Sequence, residues 1–182
     1  SENTKINAVF LKRLSKPEIS FDGRRISVVK GENAKRCEVF IDGEFLFNTT
    51  SGGAFSLADY NVSDGAHNVL VKVKGDGFGE NESAININYV RPYDTPKNVG
   101  MLIEEGKVYF VFQQVLAASG YEIFMNGQKV ETPLDKKTSG ESILVRVDTL
   151  FTENGTYTFS VRATGDRPES DMSDASEYTF KG

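Results

Sequence analysis

CEVFIDGEFL at 37–46 and YEIFMNGQKV at 121–130 are the two stretches that decide the fold. In each, apolar and polar residues alternate, a turn pair (Asp42-Gly43 or Asn126-Gly127) intervenes, and a second run follows. Period-two alternation marks a half-buried strand, and Asp-Gly or Asn-Gly between two such runs marks a tight hairpin. The two hairpins stand 84 residues apart. A second pair, GAHNVLVKVKGDG at 65–77 and GTYTFSVRATGDR at 155–167, repeats at an offset of 90. A repeat of about 85–90 residues is a whole small domain, not a solenoid unit. The six residues gained between the two blocks place a longer connection in the second copy, around PLDKKTSGES.

Working outward from the hairpins, the same alternation predicts strands near 18–21, 25–29, 36–41, 44–49, 54–58, 67–74 and 83–90 in the first copy. In the second copy it predicts them near 98–103, 107–112, 121–125, 128–131, 142–147, 156–164 and 176–180. No stretch carries a helical stripe. Seven short strands per copy with regular turn signals predict an all-β chain of two tandem seven-stranded antiparallel β-sandwiches. The expected organisation is an N-terminal apolar arm at 1–16, a sandwich at 17–91, a linker at 92–96 and a second sandwich at 97–182. Pro92 and Pro96 mark the linker, since each removes a backbone donor and stiffens the chain.

Composition narrows the function classes. Over 182 residues the net charge is -5, which argues against nucleic acid because phosphate binding needs clustered Lys and Arg. The densest basic cluster, Lys12, Arg13 and Lys16, lies in the arm and reads as solvated. No apolar run approaches the roughly 20 residues of a membrane helix, so membrane insertion is not expected. Cys37 is the single cysteine, so no intrachain disulfide forms and each sandwich must stand on packing.

Tyr121-Glu122-Ile123-Phe124 with Asn126-Gly127, and Cys37-Glu38-Val39-Phe40 with Asp42-Gly43, resemble the third strand and turn of fibronectin type III-like domains of bacterial and bacteriophage proteins. Residues 155–166, and more loosely 65–77, resemble the sixth strand of the same family. The resemblance covers about 165 residues. It implies tandem fibronectin type III-like (immunoglobulin-like) modules of virion or bacterial surface proteins. The family's usual second-strand Trp is absent, with Val28 and Phe110 in its place, and His67 stands where the second copy has Tyr157.

No catalytic, cofactor or metal site is expected. His67 is the only histidine, which removes most Ser/His and Cys/His mechanisms, and it reads as a strand-end replacement for Tyr. Cys37 falls on the core face of its strand and reads as a small buried hydrophobe. The loop Asp76–Glu82 is acidic but lacks the alternating ligands of an EF-hand and reads as a turn.

Two features point to a partner. Ile6, Val9, Phe10, Leu11 and Leu14 form the apolar arm, to be packed on their own domain or added as a strand to a partner. Phe40 and Leu70 fall on the outward face of the first sandwich, joined by Phe45 or Phe47 according to the fourth strand's register. The second copy has Phe124, Ser160, Lys129 and Glu131 at the matching places and is more polar, so an apolar patch on one copy alone suggests contact with something. The expectation is a non-catalytic structural or interaction protein, with a protein partner or self-association in a virion (capsid or tail decoration) or at a cell surface. The alternative is a spacer or carbohydrate-binding accessory module of a secreted carbohydrate-active enzyme, with carbohydrate as the partner.

Overall fold

A computed structural model describes residues 11–182. The chain divides into two compact units, Ser1–Arg91 and Pro92–Gly182. The first carries β1 (Glu18–Phe21), β2 (Arg25–Val29), β3 (Arg36–Ile41), β4 (Glu44–Thr49), β5 (Gly53–Ser56), β6 (Gly65–Lys74) and β7 (Asn81–Tyr89). They pair antiparallel as two sheets, β1-β2-β5 and β4-β3-β6-β7.

The second unit carries β8 (Gly100–Glu104), β9 (Lys107–Gln113), β10 (Gly120–Met125), β11 (Gln128–Lys129), β12 (Lys136–Ser139), β13 (Ser142–Arg146), β14 (Gly155–Thr164) and β15 (Ser176–Phe180). Its sheets run β8-β9-β13-β12 and β11-β10-β14-β15. Without β12 the strand order is the same as in the first unit. Seven strands were expected in this copy, and its longer connection supplies the eighth. Asp135 accepts the Arg146 N–H at 2.8 Å, and residues 136–139 then pair with β13 through a turn at Gly140 (φ 58°). Every β12 residue is exposed, so it has no apolar phase for the sequence to reveal.

The hairpin turns form for the reason their residues predict. Asp42 and Gly43 have φ of 52° and 86°, and Asn126 and Gly127 have 51° and 77°. Two successive positive φ values match the twist of the flanking strands in a two-residue turn, and Asp, Asn and Gly tolerate them best.

Alternation then fills each core. Cys37, Val39 and Ile41 of β3 face Val69, Val71 and Val73 of β6, with Ile26, Val28, Leu57 and Tyr89 closing the first core. Phe110, Phe112, Ile123, Val145, Phe159 and Val161 make the second. Val28 and Phe110, at the place of the missing Trp, are 2% and 0% exposed. Each such side chain contributes about 1.5–3 kcal/mol by leaving water.

The stretch read as a linker takes part in the second unit. Tyr93 is 6% exposed, its hydroxyl donates to Asp166 at 2.6 Å, and its N–H donates to the Pro168 carbonyl at 3.1 Å. Pro96 is buried as well. An aromatic ring with two hydrogen bonds fixes this segment where two prolines alone suggested a spacer.

Candidate interaction surface

The outer face of β4-β3-β6-β7 is set by register. Phe40 of β3 lies opposite Leu70 of β6 and Phe45 of β4, and Leu70 lies opposite Ala84 of β7. These four form one apolar row across the sheet. Phe40 and Phe45 meet edge to face, centroids 5.7 Å apart at 74°, a favoured aromatic geometry. Lys72 places its ammonium 5.2 Å from the Phe40 centroid. Phe45 is 56% exposed, while Phe40 and Leu70 are half-buried.

Phe45 and Phe47 were alternatives for this face, and a bulge decides between them. Register shifts between Val39 and Phe40, so Phe45 pairs with Phe40 while Phe47 pairs with Val39. Leu46 is the extra residue, and it turns Phe47 inward. Phe47 packs on the first core, 4.5 Å from the Phe55 ring and 4.8 Å from Tyr60. It lies partly buried against the core instead of on the outer face.

The arm splits likewise. Ile6, Val9 and Phe10 lie outside the described residues. Leu11 is 54% exposed, but Leu14 is 3% exposed and belongs to the first core. Its N–H donates to Gly79 at 3.0 Å, and the Gly79 N–H donates to Lys12 at 3.0 Å. Asn81 adds a side-chain bond to the Leu14 carbonyl at 2.8 Å. Residues 12–14 are thus tied to their own unit, which corrects Leu14 as a partner residue.

The matching face of the second unit is built from charge. Phe124 is covered by the Arg162 guanidinium at 5.5 Å. Arg162 donates to Glu122 at 2.6 Å, and Lys129 pairs with Glu122 at 2.8 Å. These donors, Lys129 first, hold the Glu122 carboxyl below its usual pKa. Lys129 and Ser160 stand where the first unit has Phe45 and Leu70. The cation over the aromatic, Lys72 or Arg162, recurs in both copies and was missed in the sequence because each reads as an ordinary outward strand residue.

The polar residues weighed as chemical groups have structural duties. His67 Nε2 lies 2.9 Å from the Ser63 carbonyl and Nδ1 lies 2.7 Å from Asp42 Oδ2. In the second unit the Tyr157 hydroxyl donates to the Glu153 carbonyl at 2.9 Å, also four residues back. His67 therefore does the work of a tyrosine corner, and Asp42 is the addition. The Asp42 bond, then the Ser63 carbonyl, pushes the His67 pKa up. The Asn68 N–H, then His67, holds Asp42 below its usual range. Cys37 is fully buried, and burial pushes its thiol up, away from the reactive thiolate. Among the described residues, no three His, Cys, Asp or Glu converge on a cation position, and no helix is long and apolar enough to cross a membrane.

No protein-family model matches the chain, and no curated protein does. Solved structures similar to it include the central fibronectin-III array of RIM-binding protein, at 13% identity and TM-score 0.35, covering 91% of this chain and 63% of that one. The FN1–FN3 domains of chicken CNTN1 align at 15% identity and TM-score 0.40, covering 94% and 69%. The fibronectin(III)-like modules of Clostridium thermocellum CbhA align at 12% and 0.31, covering 97% and 93%. The chain thus spans about two thirds of the first two and nearly all of the third. By its own strand order, each unit is an antiparallel β-sandwich of the fibronectin type III/immunoglobulin-like kind.

Proposed function

We propose that this chain is a non-catalytic interaction module, a component of a phage virion (capsid or tail decoration) or of a bacterial surface assembly. Its first unit makes the contact, through Phe40, Phe45, Leu70 and the arm residues Ile6, Val9, Phe10 and Leu11. The observation that carries the reading is the contrast between two equivalent sheet faces. Phe45 and Leu70 replace Lys129 and Ser160 on an otherwise matching scaffold, so the sandwich itself does not require exposed apolar residues there. Apolar residues gathered on one face are what an association surface needs.

A carbohydrate partner is the second reading. A 400 Å³ cleft beside Phe45 is lined by Tyr60, Asp42, Glu44 and Asn61, an aromatic ring among hydroxyl-binding groups.

Immunogold labelling of the producing culture with antibody to the chain tests the first reading. Label on capsids, tails or the cell envelope supports it. Label found only on secreted enzyme bound to polysaccharide favours the second reading. Diffuse cytosolic label overturns both.

A further inference from the structure

The two copies part at the outer edge of the third strand. In the first unit β4 runs the length of β3, pairing Ile41 with Glu44 at one end and Cys37 with Thr49 at the other. In the second unit β11 opposes only Phe124 and Met125, and a last bond joins the Val130 N–H to the Ile123 carbonyl at 2.9 Å. The chain then crosses to the other sheet through Glu131–Leu134 and begins β12. Tyr121 and Glu122 are left without the edge strand that covers Cys37 and Glu38. The alternation of the ladder turns the N–H and C=O of Tyr121, like those of Ile123, to that open edge.

A groove occupies the vacated place. It holds 360 Å³, lined by the apolar Phe112, Ile123, Ile143 and Val145 and by charged residues of both signs, Glu122 and Glu131 with Lys129 and Lys136. In the first unit β4 continues through the equivalent place, with Phe47 opposite Val39 and Thr49 opposite Cys37. The insertion that lengthened the second copy has removed half a strand and left apolar residues within reach.

We propose that this groove takes the N-terminal segment of a second copy of the chain, residues 4–11, added as a strand along Gly120–Glu122. The segment is Thr4-Lys5-Ile6-Asn7-Ala8-Val9-Phe10-Leu11, in which Ile6, Ala8 and Phe10 alternate at the spacing that puts side chains on one strand face. Phe10 fills the groove and Ala8 lies beside it.

Charge favours a basic segment through the field of the whole unit, while in the groove itself Lys129 and Lys136 balance Glu122 and Glu131. Residues 92–182 carry nine Lys and Arg against fourteen Asp and Glu, whereas residues 1–91 carry twelve of each. The whole net charge of -5 therefore sits on the unit with the groove, and Lys5, Lys12 and Arg13 flank the apolar run. The bonds between residues 12–14 and Gly79 hold the root of the segment on its own first unit. An arm given by one copy and a groove offered by another joins copies either by reciprocal exchange in a closed dimer or by a heterologous contact repeated around a ring or along a filament. This deepens the reading of the chain as an assembly component and rests on it.

The test uses the full chain. Sedimentation velocity should show mass growing with concentration at 50 mM salt and shrinking at 500 mM. Ala8→Pro, which removes a ladder donor, and Phe10→Ser, which removes the anchor, should each weaken association about tenfold or more. A synthetic peptide of residues 1–12 added to the Phe10→Ser chain should slow amide exchange at Tyr121, and the same peptide with Ala8→Pro should not. Peptide protection with a full chain that stays monomeric would mean the segment binds its own chain, which overturns the second-copy assignment. Protection along β7 instead, or equal protection by an unrelated alternating apolar peptide, overturns the groove or its occupant. Immunogold label on an assembly together with no peptide protection sinks the groove alone, and cytosolic label sinks the assembly reading itself.

Discussion

Ser170→Ala should destabilise the second unit alone, and by a predictable amount. Past Phe159, β14 leaves its ladder with β15, and the backbone of Val161 and Ala163, both fully buried, needs other partners. Two serines supply them. Ser170 Oγ accepts the Ala163 N–H at 2.9 Å and its own N–H donates to the Ala163 carbonyl at 3.0 Å. Ser173 does the same for Val161, at 3.0 Å and 2.9 Å. Ser170 is 2% exposed, so removing its hydroxyl leaves a buried N–H that water does not reach. An orphaned buried donor costs about 1–3 kcal/mol. For a unit of this size each kcal/mol moves the melting midpoint by about 4–8 °C, so a cost near 2 kcal/mol predicts a drop of about 8–16 °C. Scanning calorimetry of the full chain reads this as one of two transitions moving while the other stays. A loss under about 0.5 kcal/mol, the range of an ordinary surface change, would refute the assignment of Ser170 as a backbone partner. Movement of both transitions would refute independent units.

The first unit's stability should depend on pH through His67. Its folded pKa is raised, so the stability from its bonds to Asp42 and Ser63 is complete below about pH 6.5 and is lost as pH rises through the folded value. Calorimetry from pH 5.5 to 8.5 should show the midpoint falling in wild type and flat in His67→Tyr; equal slopes would contradict the corner. Cys37→Ser should cost about 1–2 kcal/mol by burying a hydroxyl without a partner, read by denaturant titration. The native thiol should react with an aromatic disulfide reagent only as fast as the unit opens, and immediate reaction would place Cys37 elsewhere.

Local signals made most of the fold legible. Asp42-Gly43 and Asn126-Gly127 specify their turns by side-chain chemistry, and the Val69–Val73 alternation specifies its face, so both survive without tertiary knowledge. What was hidden depends on distant residues. Tyr93 is fixed by Asp166, 73 positions away, and Pro-Glu-Ser-Asp-Met-Ser-Asp carries no strand pattern although Ser170 and Ser173 act as ladder partners. β12 is a wholly exposed edge, and exposure on both faces erases period two. On the candidate surface, phase alone put Phe40 and Leu70 outward. Phe45 and Phe47 share a parity that only the bulge at Val39–Phe40 separates, and Leu14 is distinguished from the arm only by its bond to Gly79, 65 positions away.

On the proposed reading, the outer face of the first unit is the contact by which this chain joins its assembly. Phe45→Lys with Leu70→Ser installs the second unit's own residues at matching positions, which should hold stability within about 1 kcal/mol for two exposed or half-exposed sites. The direct measurement is incorporation of this double variant into particles or envelope beside wild type, by quantitative blotting. Loss of two clustered anchors predicts about tenfold less incorporation or lower, with the melting midpoint kept. Incorporation equal to wild type would contradict the claim.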